Sequence, residues 1–252
     1  MLAGGDSGVD EERLLALVSQ IAEIRSAGRE VLLVSSGAVG LGRAALGLDR
    51  APTRLALRQA CAAVGQTQLM GLYQQAFAAH GLTTAQVLLT ERDLDNRSRY
   101  LNLRATPLPL LPQGVVPILN ENDAVSTAEL AFPEGEERPV FGDNDRLSAL
   151  VATKLGADLL ILLTDVAGLY AADPNVDPEA ALHSRIDPED YGAATALAGA
   201  TTSDLGRGGM SSKVDAALIA ARSGCHAVIG SGLQPDSLTR IAAGDDVGTW
   251  FP

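Results

Sequence analysis

The sequence is poor in the residues that build disulfide frameworks, metal centres and histidine-based catalytic sites. Its 252 residues include two cysteines, Cys61 and Cys225, and three histidines, His80, His183 and His226. The cysteines lack metal-ligand spacing, and such sparse use of cysteine is typical of a reducing compartment. The histidines are scattered and support neither a metal site nor a Ser/His/Asp triad. We expect two buried free thiols and no metal ligand among the side chains.

Positive charge is also scarce, with 19 Lys and Arg against 31 Asp and Glu and a formal net charge of -12. Such a chain is disfavoured on nucleic acids and anionic membranes, because affinity for their phosphates comes from cations. No run of about 18 apolar residues is present to span a bilayer. Asp6, Asp10, Glu11 and Glu12 stand where a signal peptide has its basic start. We expect a cytoplasmic protein that binds neither nucleic acid nor membrane.

Lysine is nearly absent, since Lys154 and Lys213 are the only two and every other basic residue is arginine. Lys213 closes the stretch GRGGMSSK (206–213), whose glycines leave backbone N–H groups uncovered where a helix is predicted to begin. Helix starts of this kind favour phosphate. A compact ammonium on a flexible stem suits a moving phosphoryl group better than a planar guanidinium does. The order does not fit the P-loop pattern GxxxxGK[ST], and a surface lysine at a helix start is the alternative.

Helical and strand patterns alternate along the chain. Apolar spacing and stop signals predict helices over 10–27, 52–80, from about 91, 144–155 and 210–223, and strands at 30–34, 84–89, 115–119, 158–163 and 226–230. Strands separated by helices indicate parallel βαβ units. We predict an α/β fold, a three-layer αβα sandwich with a mainly parallel central sheet, in a single domain over residues 1–252.

Two features interrupt this alternation. The first predicted element is a helix, whereas a sheet of parallel units normally begins with a strand. The leading MLAGGDSG resembles the end of a glycine-rich turn, so we expect that strand upstream of Met1 and an N-terminally incomplete domain. Prolines at 107, 109 and 112 fall where a helix would continue. We predict that the helix begun near residue 91 breaks by about residue 105.

Polar loops follow three predicted strands, and ligands of parallel sheets bind beyond these strand ends. SSGAVG (35–40) offers a hydroxyl and free N–H groups that suit a carboxylate, or is only a tight turn. NENDAV (120–125) and GDNDRLSA (142–149) carry carboxylates and carboxamides that could bind an ammonium, orient a lysine or cap a helix. TDVAGLY (164–170) ends the most apolar strand, where ordinary loop chemistry is the alternative.

The motifs VSSGAVGLG, NENDAV, GDNDRLSAL, LLTDVAGLYAADP and GRGGMSSKVDAA together resemble those of the glutamate 5-kinases in the amino acid kinase family. The resemblance covers the chain from about residue 5 to its last residue. It implies ATP-dependent phosphorylation of the L-glutamate side-chain carboxylate to L-glutamyl 5-phosphate, the first step of proline biosynthesis. It also implies Mg²⁺ bridging the phosphates, with no protein ligand assigned, a dimer or tetramer, and transfer of the product to glutamyl phosphate reductase.

The resemblance also implies roles for single residues. Lys213 would neutralise the phosphoryl group in transfer, and Asp145 would orient that lysine. The residues that would bind glutamate are Ser36, Gly37, Asp123 and Asn144. The residues that would line the ATP site are Thr164, Asp165, Arg207, Gly208, Gly209, Met210, Ser211, Ser212 and Lys213. This set suits phosphoryl transfer to a carboxylate, which depends on positioning and charge stabilisation.

Some features depart from the family pattern. The lysine and Gly-Ser or Gly-Thr turn of the family's first strand are not found, and no residues correspond to the PUA domain of some members, which indicates a short form. Arg207 and Ser212 stand where threonine is usual, and STAELAFPEGEERPVF (126–141) is a longer, more acidic loop. Two alternatives follow, a uridylate kinase-like member of the family and a catalytically impaired homologue that binds ligand. NENDAV with GDND favours an amino acid as acceptor.

Overall fold

The computed structural model describes residues 10–90, 93–94, 97–125, 144–200 and 209–252. The chain divides into two compact units, Leu2–Phe141, the N-terminal unit, and Gly142–Pro252, the C-terminal unit. The prediction of a single domain stays a prediction. The leading MLAGGDSG, the acidic loop 126–141, Arg207 and Gly208 lie outside the described residues.

The N-terminal unit is built from helices around a small parallel sheet. Its elements are α1 (Glu11–Ser26), β1 (Leu33–Val34), α2 (Ala38–Ala45), α3 (Leu55–Ala78), β2 (Thr84–Leu89), α4 (Arg97–Ala105), α5 (Pro107–Leu110), a 3-10 turn (Leu111–Gln113) and β3 (Val116–Glu121). The helices predicted over 10–27 and 52–80 and the strands at 84–89 and 115–119 are confirmed. The α2 helix was not predicted, because SSGAVGLG carries three glycines and has the composition of a turn.

The sheet of the N-terminal unit has the order β1-β3-β2, with all strands parallel. The middle strand β3 is buried along its whole length, as expected for a strand covered on both faces. The largest fully buried side chains of this unit include Val18, Leu69, Phe77, Val116, Ile118 and Leu119. The core therefore lies where α1 and α3 pack and along β3, which ends in the NENDAV motif.

The proline-rich segment ends one helix and starts another. The α4 helix stops at Ala105, as predicted, because Pro107 has no N–H group with which to continue the helical hydrogen bonds. Pro107 then occupies the first turn of α5, where its missing N–H group costs nothing. Gly114 follows the 3-10 turn, and the chain enters β3.

The C-terminal unit also combines helices with a three-stranded sheet. Its elements are α6 (Asn144–Leu155), β4 (Leu159–Thr164), a 3-10 turn (Pro188–Asp190), α7 (Tyr191–Ala200), α8 (Met210–Ala221), β5 (His226–Ser231), α9 (Ser237–Ala243) and β6 (Thr249–Phe251). The sheet order is β4-β5-β6, with β4 and β5 parallel and β6 antiparallel to β5. The helices predicted over 144–155 and 210–223 and both predicted strands are confirmed.

The α/β class and the mainly parallel sheet are confirmed, and the described strands fall into one sheet in each unit. Cys61 and Cys225 are buried and free, as expected. Burial, together with the charge of Asp158, raises the pKa of the Cys225 thiol. Among the residues that the structure describes, no helix is both long and apolar enough to span a membrane.

Candidate active site

Lys213 and Asp145 form an ion pair in the C-terminal unit. Lys213 lies one turn into α8, and Asp145 is the second residue of α6. The lysine Nζ lies 3.0 Å from Oδ1 and 2.8 Å from Oδ2 of Asp145. The two side chains are only 12% and 15% exposed, so water screens the pair weakly. Burying such an ion pair costs desolvation energy, so the pair is weak evidence for a stabilising role. We therefore consider Lys213 a candidate for a role in catalysis or binding.

Two serines hold the aspartate in place. The Oγ of Ser212 donates to Oδ2 of Asp145 at 2.8 Å and lies 3.0 Å from the backbone oxygen of Gly209. The Oγ of Ser148 donates to the backbone oxygen of Asp145 at 2.6 Å. The carboxylate thus accepts from Lys213 and from Ser212 together, which fixes the direction of the ammonium group.

The packing of α6 against α8 brings this cluster together. Buried positions of both helices are rich in alanine, since Ala149, Ala152, Ala216 and Ala217 all belong to one core cluster. Small side chains let two helices approach closely, and the interaxial distance depends on them. The first turns of both helices therefore come within reach of one short ionic contact.

Thr164 and Asp165 form a second group in the same unit, at the end of β4. Thr164 is buried and pairs in register with Ser231 of β5, while Asp165 is exposed. The Oγ1 of Thr164 donates to Oδ1 of Asp165 at 3.1 Å. This is the strand-end position at which parallel sheets bind ligands.

Thr249 anchors the loop that follows Asp165, and sequence reasoning missed it. Its Oγ1 accepts from the backbone N–H of Leu169 at 2.8 Å and donates to the backbone oxygen of His183 at 2.6 Å. The residue is fully buried in β6. Thr249 lies in a strand of three residues, and its hydrogen-bond partner Leu169 is 80 residues earlier in the chain. No local sequence pattern indicates such a contact.

In the N-terminal unit, the SSGAVG loop lies next to the end of β3. The backbone N–H of Ser35 donates to the oxygen of Leu119 at 2.9 Å, which continues the β1–β3 pairing by one residue. Ser36 and Gly37 follow directly. Gly37 precedes α2 with φ at 104°, a backbone conformation that other residues adopt only with strain. The N-terminal turn of α2 therefore starts beside the polar end of β3.

The α3 helix supplies polar contacts to both loops of this unit. Asn120 donates through Nδ2 to Oε1 of Gln66 at 2.8 Å, and the hydroxyls of Ser35 and Tyr73 are hydrogen-bonded at 2.9 Å. Gln66 and Tyr73 are seven residues apart, or two helical turns, and so share a face. Sequence reasoning missed both residues, although this spacing of polar groups in a predicted helix was a signal.

We predict that Tyr73→Phe lowers stability in a pH-dependent manner. Burial raises the pKa of Tyr73 to about 12, with the Ser35 hydrogen bond acting in the opposite direction, from an ordinary value of 10.0. Since the folded pKa is raised, the contribution of Tyr73 is complete below pH 10 and is lost as the pH rises toward 12. Chemical denaturation should find the variant less stable by about 1 kcal/mol near pH 7. The gap should shrink by about 0.8 kcal/mol near pH 10.5.

Tyr170→Phe is the matched control, because Tyr170 is a partly exposed tyrosine of the other unit. Its stability near pH 7 should stay close to that of the wild type, because its side chain is not fully buried. A stability gap for Tyr73→Phe that is equal at both pH values would contradict the assignment.

Residues 3–231 match a protein family described as the amino acid kinase family. The match spans far more than half of the chain. The chain belongs to the amino acid kinase family. Proteins named glutamate 5-kinase from Dehalococcoides mccartyi, Marinomonas and Azoarcus are 45%, 47% and 48% identical to it over 251, 251 and 249 residues. The alignments cover 99–100% of the chain but only 64–65% of the length of these relatives.

Solved structures support the amino acid kinase fold. A carbamate kinase from Giardia lamblia bound to AMP-PNP has a TM-score of 0.64 at 20% identity, with 98% of this chain and 95% of the other covered. An isopentenyl phosphate kinase from T. acidophilum in its product complex has a TM-score of 0.62 at 18% identity, with 99% and 95% covered. At these identities the likeness concerns the fold alone.

In this member of the family the predicted site residues are divided between the two units. Ser36, Gly37 and Asp123 lie in the N-terminal unit, after paired strands β1 and β3. The others lie in the C-terminal unit, where Asn144 begins α6, Gly209 precedes α8, and Met210, Ser211, Ser212 and Lys213 form its first turn. Their assignment to glutamate or ATP stays a prediction, and that of Arg207 and Gly208 lies outside the described residues.

Proposed function

We propose that the protein is a glutamate 5-kinase, which transfers the γ-phosphoryl group of ATP to the side-chain carboxylate of L-glutamate. The observation that carries this proposal is the Lys213 ammonium in the first turn of α8, which is held by Asp145, a residue that Ser212 holds in turn. That arrangement presents a fixed cation beside free helix N–H groups, both of which favour phosphate. The relatives at 45–48% identity carry the name glutamate 5-kinase.

In the reaction, an oxygen of the substrate carboxylate forms a bond to the γ-phosphorus. The bond from that phosphorus to the bridging oxygen breaks, and ADP leaves with the electron pair. Negative charge accumulates on the transferred group and on the leaving oxygen. Lys213 stabilises this charge without losing a proton, while Asp145 fixes the direction of the ammonium and keeps it in place. Neither residue forms a covalent intermediate.

The N-terminal unit would bind the acceptor. The first N–H groups of α2, which follow Ser36 and Gly37, suit a carboxylate, because a helix start offers unpaired donors and positive potential. Asp123 follows β3 and would accept hydrogen bonds from the substrate ammonium. In the C-terminal unit, Asn144 would contact glutamate, and Thr164, Asp165 and the 207–213 stretch would bind ATP.

Magnesium would enter as part of the nucleotide substrate. Within the described part of the chain, no group of three or more His, Cys, Asp or Glu side chains is placed to hold a metal. Mg²⁺ commonly keeps several waters and binds substrate phosphates with few protein ligands. Its chemistry would be to bridge and neutralise the phosphates.

The proposal extends to the setting of the reaction. The product, L-glutamyl 5-phosphate, is a mixed anhydride, which hydrolyses readily, so a reductase such as glutamyl phosphate reductase would have to consume it promptly. We place the reaction in the cytoplasm, as the first step of proline biosynthesis, and in a homodimer or homotetramer. Size-exclusion chromatography with light scattering would determine the oligomeric state.

The deciding experiment traps the acyl phosphate. The purified protein is incubated with L-glutamate, MgATP and hydroxylamine, and γ-glutamyl hydroxamate is measured, with UMP as a second acceptor assayed by ADP release. We expect hydroxamate that depends on both glutamate and ATP. Phosphorylation of UMP alone would replace the proposal by a uridylate kinase-like function. Glutamate binding without either product would indicate the impaired homologue.

We predict that Ser212→Ala lowers kcat by about threefold to tenfold, because it removes one of the hydrogen bonds that orient Asp145. Ser212→Thr keeps the hydroxyl and should retain most of the activity. Ser223→Ala, at an exposed serine beyond the other end of α8, is the matched control and should match the wild type. Equal kcat values for the alanine variant and the wild type in the hydroxamate assay would exclude a role for the Ser212 hydroxyl.

A further inference from the structure

The hydrogen bonds around Asn120 fix the orientation of two carboxamides. The backbone N–H of Glu121 can only donate, so the Asn120 atom 2.9 Å from it is the acceptor Oδ1. Nδ2 of Asn120 must then face Gln66, and the Gln66 atom at 2.8 Å must be Oε1. The N–H group of Glu121 thus determines the orientation of both carboxamides. If either amide flipped, two donors or two acceptors would face each other.

This arrangement leaves one buried donor without a partner in the described part of the chain. Nε2 of Gln66 is buried and has no hydrogen-bond partner among the residues that the structure describes. Asn120 itself is only 3% exposed. Buried polar atoms are nearly always satisfied, and an exception calls for an explanation, such as a functional role. Gln66 satisfies the buried Asn120 amide through Oε1, but its own Nε2 has no partner in the described part of the chain.

The hydrogen bond between Asn120 and Gln66 joins α3 to the end of β3, where the NENDAV motif begins. Asn120 precedes Glu121, Asn122 and Asp123, and the backbone N–H of Asn122 is held by the oxygen of Leu89 at 2.7 Å. Asn120 donates one amide proton to Gln66, and the same nitrogen carries a second proton. Gln66 and the backbone N–H of Glu121 together fix the direction of that second proton.

We propose that Gln66 is a positioning residue of the acceptor site, which acts through Asn120 on the carboxylate of the bound amino acid. The inference rests on the proposed glutamate kinase function. Gln66 does not touch the reacting atoms. It holds the Asn120 amide so that one N–H group is presented to the acceptor, and it therefore affects acceptor binding and leaves ATP binding unchanged.

The test is a double-mutant cycle in the full chain, read by hydroxamate formation. Gln66→Met keeps the side-chain volume and removes the hydrogen bond to Asn120. We expect it to raise the KM for L-glutamate about tenfold. The KM for ATP should stay within about twofold of the wild type. In an Asn120→Ala background, Gln66→Met should add little, because its effect passes through the missing amide. Gln68→Met, at an exposed position on the same helix, is the control and should match the wild type.

The outcomes separate the inference from the proposed function. A wild-type protein that makes no hydroxamate overturns the proposed function and this inference with it. An active wild type with an unchanged glutamate KM in Gln66→Met overturns the inference alone. Effects of Gln66→Met and Asn120→Ala that simply multiply, or a parallel rise in the KM for ATP, would assign Gln66 a general structural role and also overturn it. Circular dichroism melting of each variant confirms that the comparison is made between folded proteins.

Discussion

Replacing Lys213 by methionine should lower kcat by about three orders of magnitude, equivalent to about 4 kcal/mol of transition-state stabilisation. The lysine supplies the only cation in the first turn of α8, and its Nζ is held within 3.0 Å of both Asp145 oxygens. Methionine fills a similar volume without charge. The KM for L-glutamate should change little, because acceptor binding is assigned to other residues. Initial rates of hydroxamate formation at saturating substrates measure the effect.

Lys213→Arg isolates geometry from charge. The guanidinium keeps the positive charge but is planar and rigid, so it can pair with Asp145 in a bidentate manner and cannot follow the phosphoryl group. We expect kcat to fall at least about tenfold. Lys154→Arg is the matched control, because Lys154 lies in the last turn of α6, well away from the first turn that carries Asp145. Full activity of Lys213→Arg would remove the lysine from the mechanism.

Asp145 should act through Lys213, and this can be measured. Asp145→Asn keeps an acceptor for Ser212 but weakens the hold on the ammonium. In the Lys213→Met background the same change should have little further effect, because residues that act as a unit are not additive. Independent losses would mean that the carboxylate has a separate role in the reaction.

The sequence predicted those parts of the site that local patterns determine. Continuous apolar runs located β4, so Thr164 and Asp165 were expected at a strand end, and they are found there. The glycines before Met210 located the start of α8 and therefore placed Lys213 one turn into the helix. These features depend on neighbouring residues only, so sequence reasoning could reach them.

The contacts that were missed are long-range. Asp145 and Lys213 are 68 residues apart, and Asn120 and Gln66 are 54 apart, so no periodic pattern links them. The residues of GDND indicated only that they could orient a lysine, and the specific pairing of Asp145 with Lys213 was expected from the resemblance to a family. The α2 helix was missed because its stability comes from packing against α3 and not from the helix propensity of its glycine-rich sequence. The short strand β6 was missed because three residues carry no recognisable period.

The crossing of α2 and α3 should be the most sensitive packing contact in the N-terminal unit. A Cβ atom at Gly65 would overlap the backbone oxygen of Ala38 and lie 2.8 Å from its carbonyl carbon. At Gly42 it would overlap the oxygen of Cys61 and lie 2.8 Å from the Cα atom of that residue. Backbone cannot rotate aside as a side chain can, so even a methyl group forces the helices apart.

Gly65→Ala should therefore destabilise the protein by about 3 kcal/mol or more, with a fall in Tm of roughly 5 to 10 °C. Gly71→Ala on the same helix is the matched control, because a Cβ atom there has no neighbour within 4 Å. It should raise stability by about 0.5 to 1 kcal/mol, the usual gain for alanine over glycine within a helix. The sign of the change should thus differ between two identical substitutions six residues apart.

The separation of α2 from α3 should also displace the SSGAVG loop, which is proposed to bind the acceptor. The α2 helix begins directly after Ser36 and Gly37, and Ala38 is both its first residue and the closest neighbour of Gly65. Folded Gly65→Ala protein, assayed well below its Tm, should therefore have a raised KM for L-glutamate and a nearly unchanged KM for ATP. Gly42→Ala should behave in the same way, since it separates the same two helices. Wild-type stability in Gly65→Ala would contradict the close crossing, whereas lost stability with an unchanged glutamate KM would separate the crossing from acceptor binding.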